Sequence, residues 1–127
     1  MIEQNIEEYM NKGICVCGEV SYEVKGEVGK LYQCHCTLCQ KQTGSSAQTG
    51  LFVEKANFKW LSGEDRISNF NKDSGYSYSF CATCGSTVPN MFRSGEKYWV
   101  PAGALAGLAG TKLAGAKIEN HIFVADK

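Results

Sequence analysis

The segment Phe80-Cys81-Ala82-Thr83-Cys84-Gly85-Ser86 has the form of a metal knuckle. Two cysteines spaced CxxC on a tight turn bring two thiolates to one ion. Backbone N–H groups then face the sulfurs, and the glycine that follows relieves the steric cost where the chain turns away. One knuckle supplies two ligands, whereas tetrahedral zinc takes four. The second pair must come from elsewhere in the sequence, and wherever it lies, two distant parts of the chain are joined.

Cys15-Val16-Cys17, followed by Gly18, can provide that pair. Residues two apart on a strand point to the same face, and the glycine permits the bend that brings both sulfurs to one ion. A site made of Cys15, Cys17, Cys81 and Cys84 would staple the start of the domain to its middle. Metal binding at such sites is coupled to folding, with about 10–16 kcal/mol in zinc-finger peptides. The competing readings are buried free thiols, disulfides or a redox CxxC. A thioredoxin-like redox motif needs a βαβ context, and the hydrophobic pattern supplies none.

Cys34-His35-Cys36-Thr37-Leu38-Cys39 leaves three more cysteines. Three protein ligands with a fourth position open is the arrangement of a catalytic zinc. Three thiolates over-neutralise a divalent ion, so the metal is a weaker Lewis acid than one held by neutral histidines. An incoming thiol suits the open position: coordination deprotonates it and leaves it nucleophilic. Thiol chemistry therefore fits Cys34, Cys36 and Cys39 better than peptide hydrolysis does. An empty or oxidised cluster is the alternative. His35 stands between ligands and is assigned an orienting role, and His121 that of a half-buried strand residue.

The remaining composition narrows the class. The chain has 127 residues, enough for one domain, of which 43% are hydrophobic and 20% charged. Lysines plus arginines number 13, as do aspartates plus glutamates, giving no bulk attraction to nucleic acid or to an anionic membrane. Neither nucleic acid nor membrane is expected as a partner. The first residues are acidic and lack an apolar stretch of signal length, and no segment reaches the ~20 apolar residues of a span. A cytosolic, thiol-reducing setting is expected, and seven cysteines cannot all pair within one chain.

Val20, Tyr22 and Val24 alternate with polar residues, the signature of a half-buried strand. Further strands are expected at Leu31–Cys34, Gln48–Val53, Phe58–Leu61, Arg66–Phe70, Tyr76–Phe80, Thr87–Phe92, Tyr98–Pro101 and Ile118–Val124, separated by turn residues. The expectation is a mainly β domain over residues 13–127, after a leader at 1–12 in which Ile2, Ile6 and Met10 recur at helical spacing. Residues 102–116, rich in Gly and Ala, read as a loop or a short helix.

Taken together, Gly13-Ile14-Cys15-Val16-Cys17-Gly18-Glu19-Val20-Ser21-Tyr22, the middle cysteine group, Gly44-Ser45, Phe80 to Ser86 and Ala102-Gly103-Ala104-Leu105 resemble the glutathione-dependent formaldehyde-activating enzyme family. That family includes a domain of centromere protein V. The resemblance implies several small twisted antiparallel sheets, a fold shared with chaperones of Rab-type GTPases and with methionine-R-sulfoxide reductases. It implies a carbon–sulfur lyase-type activity that forms S-hydroxymethylglutathione from glutathione and formaldehyde. It also implies a structural zinc on Cys15, Cys17, Cys81 and Cys84 and a catalytic zinc on Cys34, Cys36 and Cys39. The sequence departs from the family's pattern at Gln40-Lys41, where arginine commonly follows the third cysteine of the middle group.

A zinc enzyme acting on a thiol adduct is thus expected. Lys41, Arg66 and Arg93 are candidates for holding an anionic substrate, and Thr37 or Thr43 for moving a proton. The alternative is a zinc-stabilised protein-binding module, with Trp60, Trp99, Tyr76 or Tyr78 as exposed anchors. A methionine sulfoxide reductase is disfavoured because no cysteine follows Cys84.

Overall fold

The computed structural model describes residues 10–26, 30–92, 95–105 and 117–122. Among these residues, eleven strands make three small sheets, with one short α-helix. The first sheet contains β1 (Met10–Ile14), β2 (Ser21–Lys25) and β5 (Phe58–Ser62), in the order β1-β2-β5. The alternation seen in the sequence is realised in β2. Tyr22 and Val24 are buried, while Lys25 is exposed. Gly13 lies opposite Tyr22 in the antiparallel register, and a Cβ there would run into the tyrosine ring.

Met10 begins a strand rather than ending a helical turn, and residues 1–9 lie outside the described residues. Asn11, Lys12 and Gly13 continue the strand. Asn11 is wholly buried within β1, and its side-chain amide donates to the carbonyl of Gly26 at 2.7 Å, tying down the end of β2.

The second sheet has the order β11-β3-β4-β10-β9, built from β3 (Lys30–Cys34), β4 (Gln48–Glu54), β9 (Asn90–Met91), β10 (Lys97–Pro101) and β11 (Lys117–Ile122). All its pairs are antiparallel except β11 with β3, which run parallel. The third sheet is β6 (Ile67–Asn71), β7 (Ser77–Cys81) and β8 (Thr87–Val88).

The stretch expected as one strand, Thr87–Phe92, is divided at Pro89. Thr87 and Val88 pair with β7, whereas Asn90 and Met91 belong with β10. Proline has no N–H to donate to a ladder, so the buried Pro89 is a natural point for the chain to pass from one sheet to another. The turn-or-helix expectation for 102–116 is met at its start by a 3-10 turn over Ala102–Leu105. The rest of that segment, and the expected strand residues Phe123 and Val124, lie outside the described residues.

The main core joins the first two sheets: Tyr22, Val24, Leu51, Val53, Val100 and Leu105 are buried together. Phe58, Trp60 and Tyr98 close its side by ring contacts, Tyr22 stacking on Phe58 at 5.6 Å and Phe58 on Tyr98 at 4.1 Å between centroids. Among the described residues no helix is long and apolar enough to cross a membrane.

Candidate metal centres

Two clusters of sulfur form. The first joins two knuckles of similar construction. After β1 the chain turns so that the N–H of Gly18 donates to the carbonyl of Cys15 at 3.0 Å. After β7 the N–H of Gly85 donates to the carbonyl of Cys81 at 2.8 Å. Both glycines take positive φ, 87° and 81°, a region that side-chain-bearing residues rarely adopt. The four Sγ atoms of Cys15, Cys17, Cys81 and Cys84 lie within 4.8 Å of one another, with Cys15–Cys17 at 3.6 Å and Cys17–Cys81 at 3.7 Å.

These spacings are far beyond the about 2.05 Å of a disulfide, and all seven cysteines are free thiols. They match the about 3.8 Å edge of a sulfur tetrahedron around an ion with bonds of about 2.3 Å. Backbone and hydroxyl donors face the sulfurs. The N–H of Val20 reaches Cys15 at 3.3 Å, and the hydroxyl of Ser86 is 3.2 Å from Cys84. Ser86, through its hydroxyl and its N–H, holds the Cys84 thiol down to about 5. Cys17 moves the other way. The Glu19 backbone pulls it down, but desolvation and the neighbouring sulfurs push it up to about 12. One sulfur of the cluster is thus readily ionised, while another keeps its proton until a cation is supplied.

A polar triangle braces the two knuckles. Arg66 donates to Glu19 at 3.1 Å and to Thr83 at 3.0 Å, and the Thr83 hydroxyl donates to Glu19 at 2.7 Å. Thr83 and Arg66 keep the Glu19 carboxyl below its ordinary value. Arg66, a candidate for holding an anionic substrate, is therefore engaged at the four-cysteine cluster.

The second cluster is Cys34, Cys36 and Cys39, whose sulfurs also lie within 4.8 Å of one another and are all buried. Cys34 ends β3. Cys36 is the N-cap of helix α1 (Thr37–Thr43), its sulfur accepting from the N–H of Cys39 at 3.3 Å, and Cys39 is the helix's buried residue. Strand end, cap and first turn thus aim three sulfurs at one point. The Cys39 thiol donates to Cys34 at 3.2 Å, and this sharing, with burial, raises Cys39 strongly. Three buried sulfurs can all ionise only with a positive partner, so the donor set is suited to a soft divalent cation. Each of the two clusters could hold a metal ion.

The other sequence candidates are dispersed. The N–H of His35 donates to Ile122 at 2.9 Å, binding β3 to β11, and its ring is not part of the sulfur cluster. His121's side chain and Arg93 lie outside the described residues. Thr43 donates to the carbonyl of Cys39 at 2.8 Å within its own helix, while Thr37 and Lys41 are exposed on α1. Gln40, at the position where the family's pattern has arginine, donates to the carbonyl of Ser46 at 3.0 Å and steadies the loop after the helix.

Two polar groups that the sequence did not single out for chemistry stand beside the cluster. Gln48 Oε1 is 3.5 Å from Cys39 Sγ, and the Tyr76 hydroxyl is 4.0 Å from the same sulfur and 3.5 Å from the carbonyl of Leu38. Burial, then the sulfurs of Cys39, Cys36 and Cys34, raise the Tyr76 phenol, so it stays a donor. Tyr76, Tyr78, Trp60 and Trp99, considered as exposed anchors, are all half-buried.

A cavity of about 260 Å³ opens onto the three-cysteine cluster, lined by residues of the second and third sheets. Fold and sulfur geometry define a small β protein with two potential thiolate metal centres, one of them facing a cavity. The family model for the glutathione-dependent formaldehyde-activating enzyme matches residues 10–126, and the chain belongs to that family. No curated protein matches it. A crystal structure of a Rhodobacter sphaeroides protein, solved as a structural-genomics target, shares the fold with a TM-score of 0.67. It is 21% identical, over 87% of this chain and 98% of that one.

Proposed function

We propose that the chain is a zinc-dependent carbon–sulfur lyase-type enzyme that makes and breaks adducts between a thiol and an aldehyde. Family membership implies glutathione and formaldehyde as the small-molecule substrates. The observation that carries the reading is the convergence of three buried sulfurs, Cys34, Cys36 and Cys39, at a cavity. Cys15, Cys17, Cys81 and Cys84 take the structural zinc in this reading. It places the protein in the cytosol, where free thiols stay reduced.

In the forward reaction a sulfur–carbon bond forms, the carbonyl π bond opens, and the proton leaving sulfur ends on the former carbonyl oxygen. Zinc held by the three cysteines would lower the pKa of an incoming thiol. The protein's own groups then handle the oxygen. The Tyr76 hydroxyl, on the cavity wall beside Cys39, donates to the oxygen as charge develops there. Gln48, steadied through Gln42 (3.4 Å) and onward to Thr87 (3.0 Å), fixes the opposite side of the cluster.

The test is metal counting with exchange NMR of a glutathione–formaldehyde mixture, on the wild type and a Cys36→Ser variant. The wild type should bind two zinc ions and accelerate adduct exchange. The variant should stay folded, retain one ion and lose the acceleration. One ion in both proteins, or undiminished exchange in the variant, would exclude the second cluster as the reaction site.

A further inference from the structure

Lys97 was not among the sequence candidates for holding an anion, yet its ammonium rests on the aromatic wall of the cavity. It stands 4.8 Å from the ring centroid of Phe52 and 5.9 Å from that of Phe92, and both rings line the cavity. Resting on the thiol-adduct reading above, we infer that Lys97 binds the α-carboxylate at the γ-glutamyl end of glutathione while the thiol lies at Cys34, Cys36 and Cys39. Glu54, opposite Lys97, takes the ammonium beside that carboxylate.

The register of the second sheet puts the lysine there. Lys97 pairs with Glu54, and Trp99 with Phe52, across β10 and β4, so these four side chains share one face of the sheet. The lysine leans one pair along from Glu54, over Phe52. Among the described residues no carboxylate lies within ion-pair distance of it. Lys97 is half-buried and Glu54 exposed. An ammonium resting on rings is partly stripped of water, so it attracts an incoming carboxylate more strongly than a solvated surface lysine does.

Distance selects the end of the substrate. Gln48, whose Oε1 is 3.5 Å from the Cys39 sulfur, and Phe52 both line the cavity from β4. Four residues at about 3.3 Å each separate them by about 13 Å along the strand. In extended glutathione the sulfur is about 10 Å from the γ-glutamyl α-carboxyl carbon and only about 7 Å from the glycine carboxyl carbon. A charge-assisted hydrogen bond of about 2.8 Å completes the longer span and leaves the shorter one unfinished. Charge selects the same end. The γ-glutamyl α-carbon bears a carboxylate and an ammonium, the glycine end a carboxylate alone, and Lys97 with Glu54 offers one group of each sign.

The experiment titrates the zinc-loaded protein with glutathione in the absence of aldehyde, so that nothing reacts, and follows tryptophan fluorescence and calorimetry. Glutathione is compared with its γ-glutamyl α-amide and with its glycine amide. Lys97→Met should weaken glutathione and the glycine amide about tenfold and leave the γ-glutamyl amide unchanged. Lys97→Arg should restore most of that loss. Glu54→Gln should weaken glutathione about threefold and leave the analogue lacking the α-amino group unchanged. Metal content should stay the same in every variant, since neither residue belongs to a sulfur cluster. Equal binding of glutathione by Lys97→Met and the wild type would overturn the inference. So would a loss that follows the glycine carboxylate, or a wild type that glutathione does not saturate. Exchange NMR with formaldehyde separates this anchor from the reaction. A wild type that binds glutathione without accelerating exchange removes the reaction and leaves the anchor, whereas acceleration with unchanged binding in Lys97→Met removes the anchor alone.

Discussion

The backbone N–H of Val16 donates to the hydroxyl of Ser86 at 3.0 Å, linking residues 70 apart in sequence. The same hydroxyl lies 3.2 Å from the Cys84 sulfur, where its proton can be donated once that thiol is ionised. One serine thus connects the first knuckle to a ligand of the second.

Replacing it should show both roles. Ser86→Ala is expected to raise the Cys84 thiol from about 5 toward its ordinary value. It should also weaken metal retention at the four-cysteine cluster by about tenfold, the effect of losing one charge-assisted hydrogen bond of about 1.5–3 kcal/mol in part. Competition with a coloured chelator measures retention, and thiolate absorbance against pH measures the thiol. An unchanged titration curve would remove Ser86 as the cause.

In metal-free protein the two sulfurs nearest solvent should differ in reactivity. Cys84 is held at about 5 and Cys17 pushed to about 12, so near neutral pH iodoacetamide should label Cys84 well before Cys17. The sign follows for stability as well. A thiol whose folded value is depressed stabilises the fold above its unfolded value, and that contribution fades as pH falls through about 5. Peptide mapping after brief alkylation gives the order, and preferential labelling of Cys17 would contradict it.

Gly50 lies in β4 against the indole of Trp99. A Cβ there would stand 2.6 Å from the ring and 2.7 Å from the carbonyl of Val100. Gly50→Ala must therefore displace Trp99, whose indole N–H is buried without a hydrogen-bond partner. Overpacking of this kind costs about 1–3 kcal/mol. Thermal unfolding should shift down accordingly, and tryptophan emission should move. A variant as stable as the wild type would show that the wall yields easily.

Tyr76→Phe removes a hydroxyl 4.0 Å from Cys39 and leaves the ring contact with Tyr78 in place. On the proposed reaction it should retain both metal ions and the affinity for thiols while slowing adduct exchange about a hundredfold, the scale of losing one donor to a developing oxyanion. Undiminished exchange would assign the phenol a packing role alone.

Much of this arrangement was legible beforehand because cysteine spacing and strand alternation are local signals. The knuckles at Cys15 and Cys81, and the alternation of Val20, Tyr22 and Val24, needed no knowledge of tertiary structure. Helix α1 was not legible. Seven residues are too few to establish a helical period, and the helix exists because Cys36 caps it and Cys39 is buried beneath it. The parallel pairing of β11 with β3 is a choice of partner, which periodicity does not encode. Arg66 showed only as a charge in a strand, and its engagement with Glu19 and Thr83 depends on both knuckles having already met. The cavity was least accessible of all, since its walls are gathered from Cys34 through Ile122.

That last separation means the two clusters are completed by different lengths of chain. The sulfurs of the first cluster are all present once Cys84 has been made, although the main core still needs Val100 and Leu105. The chamber at the three-cysteine cluster needs the chain as far as Ile122, whose carbonyl accepts from the N–H of His35 at 2.9 Å and which lines the cavity. A chain ending between those points would carry all four sulfurs of the first cluster and, at the second, three thiols with no finished chamber around them.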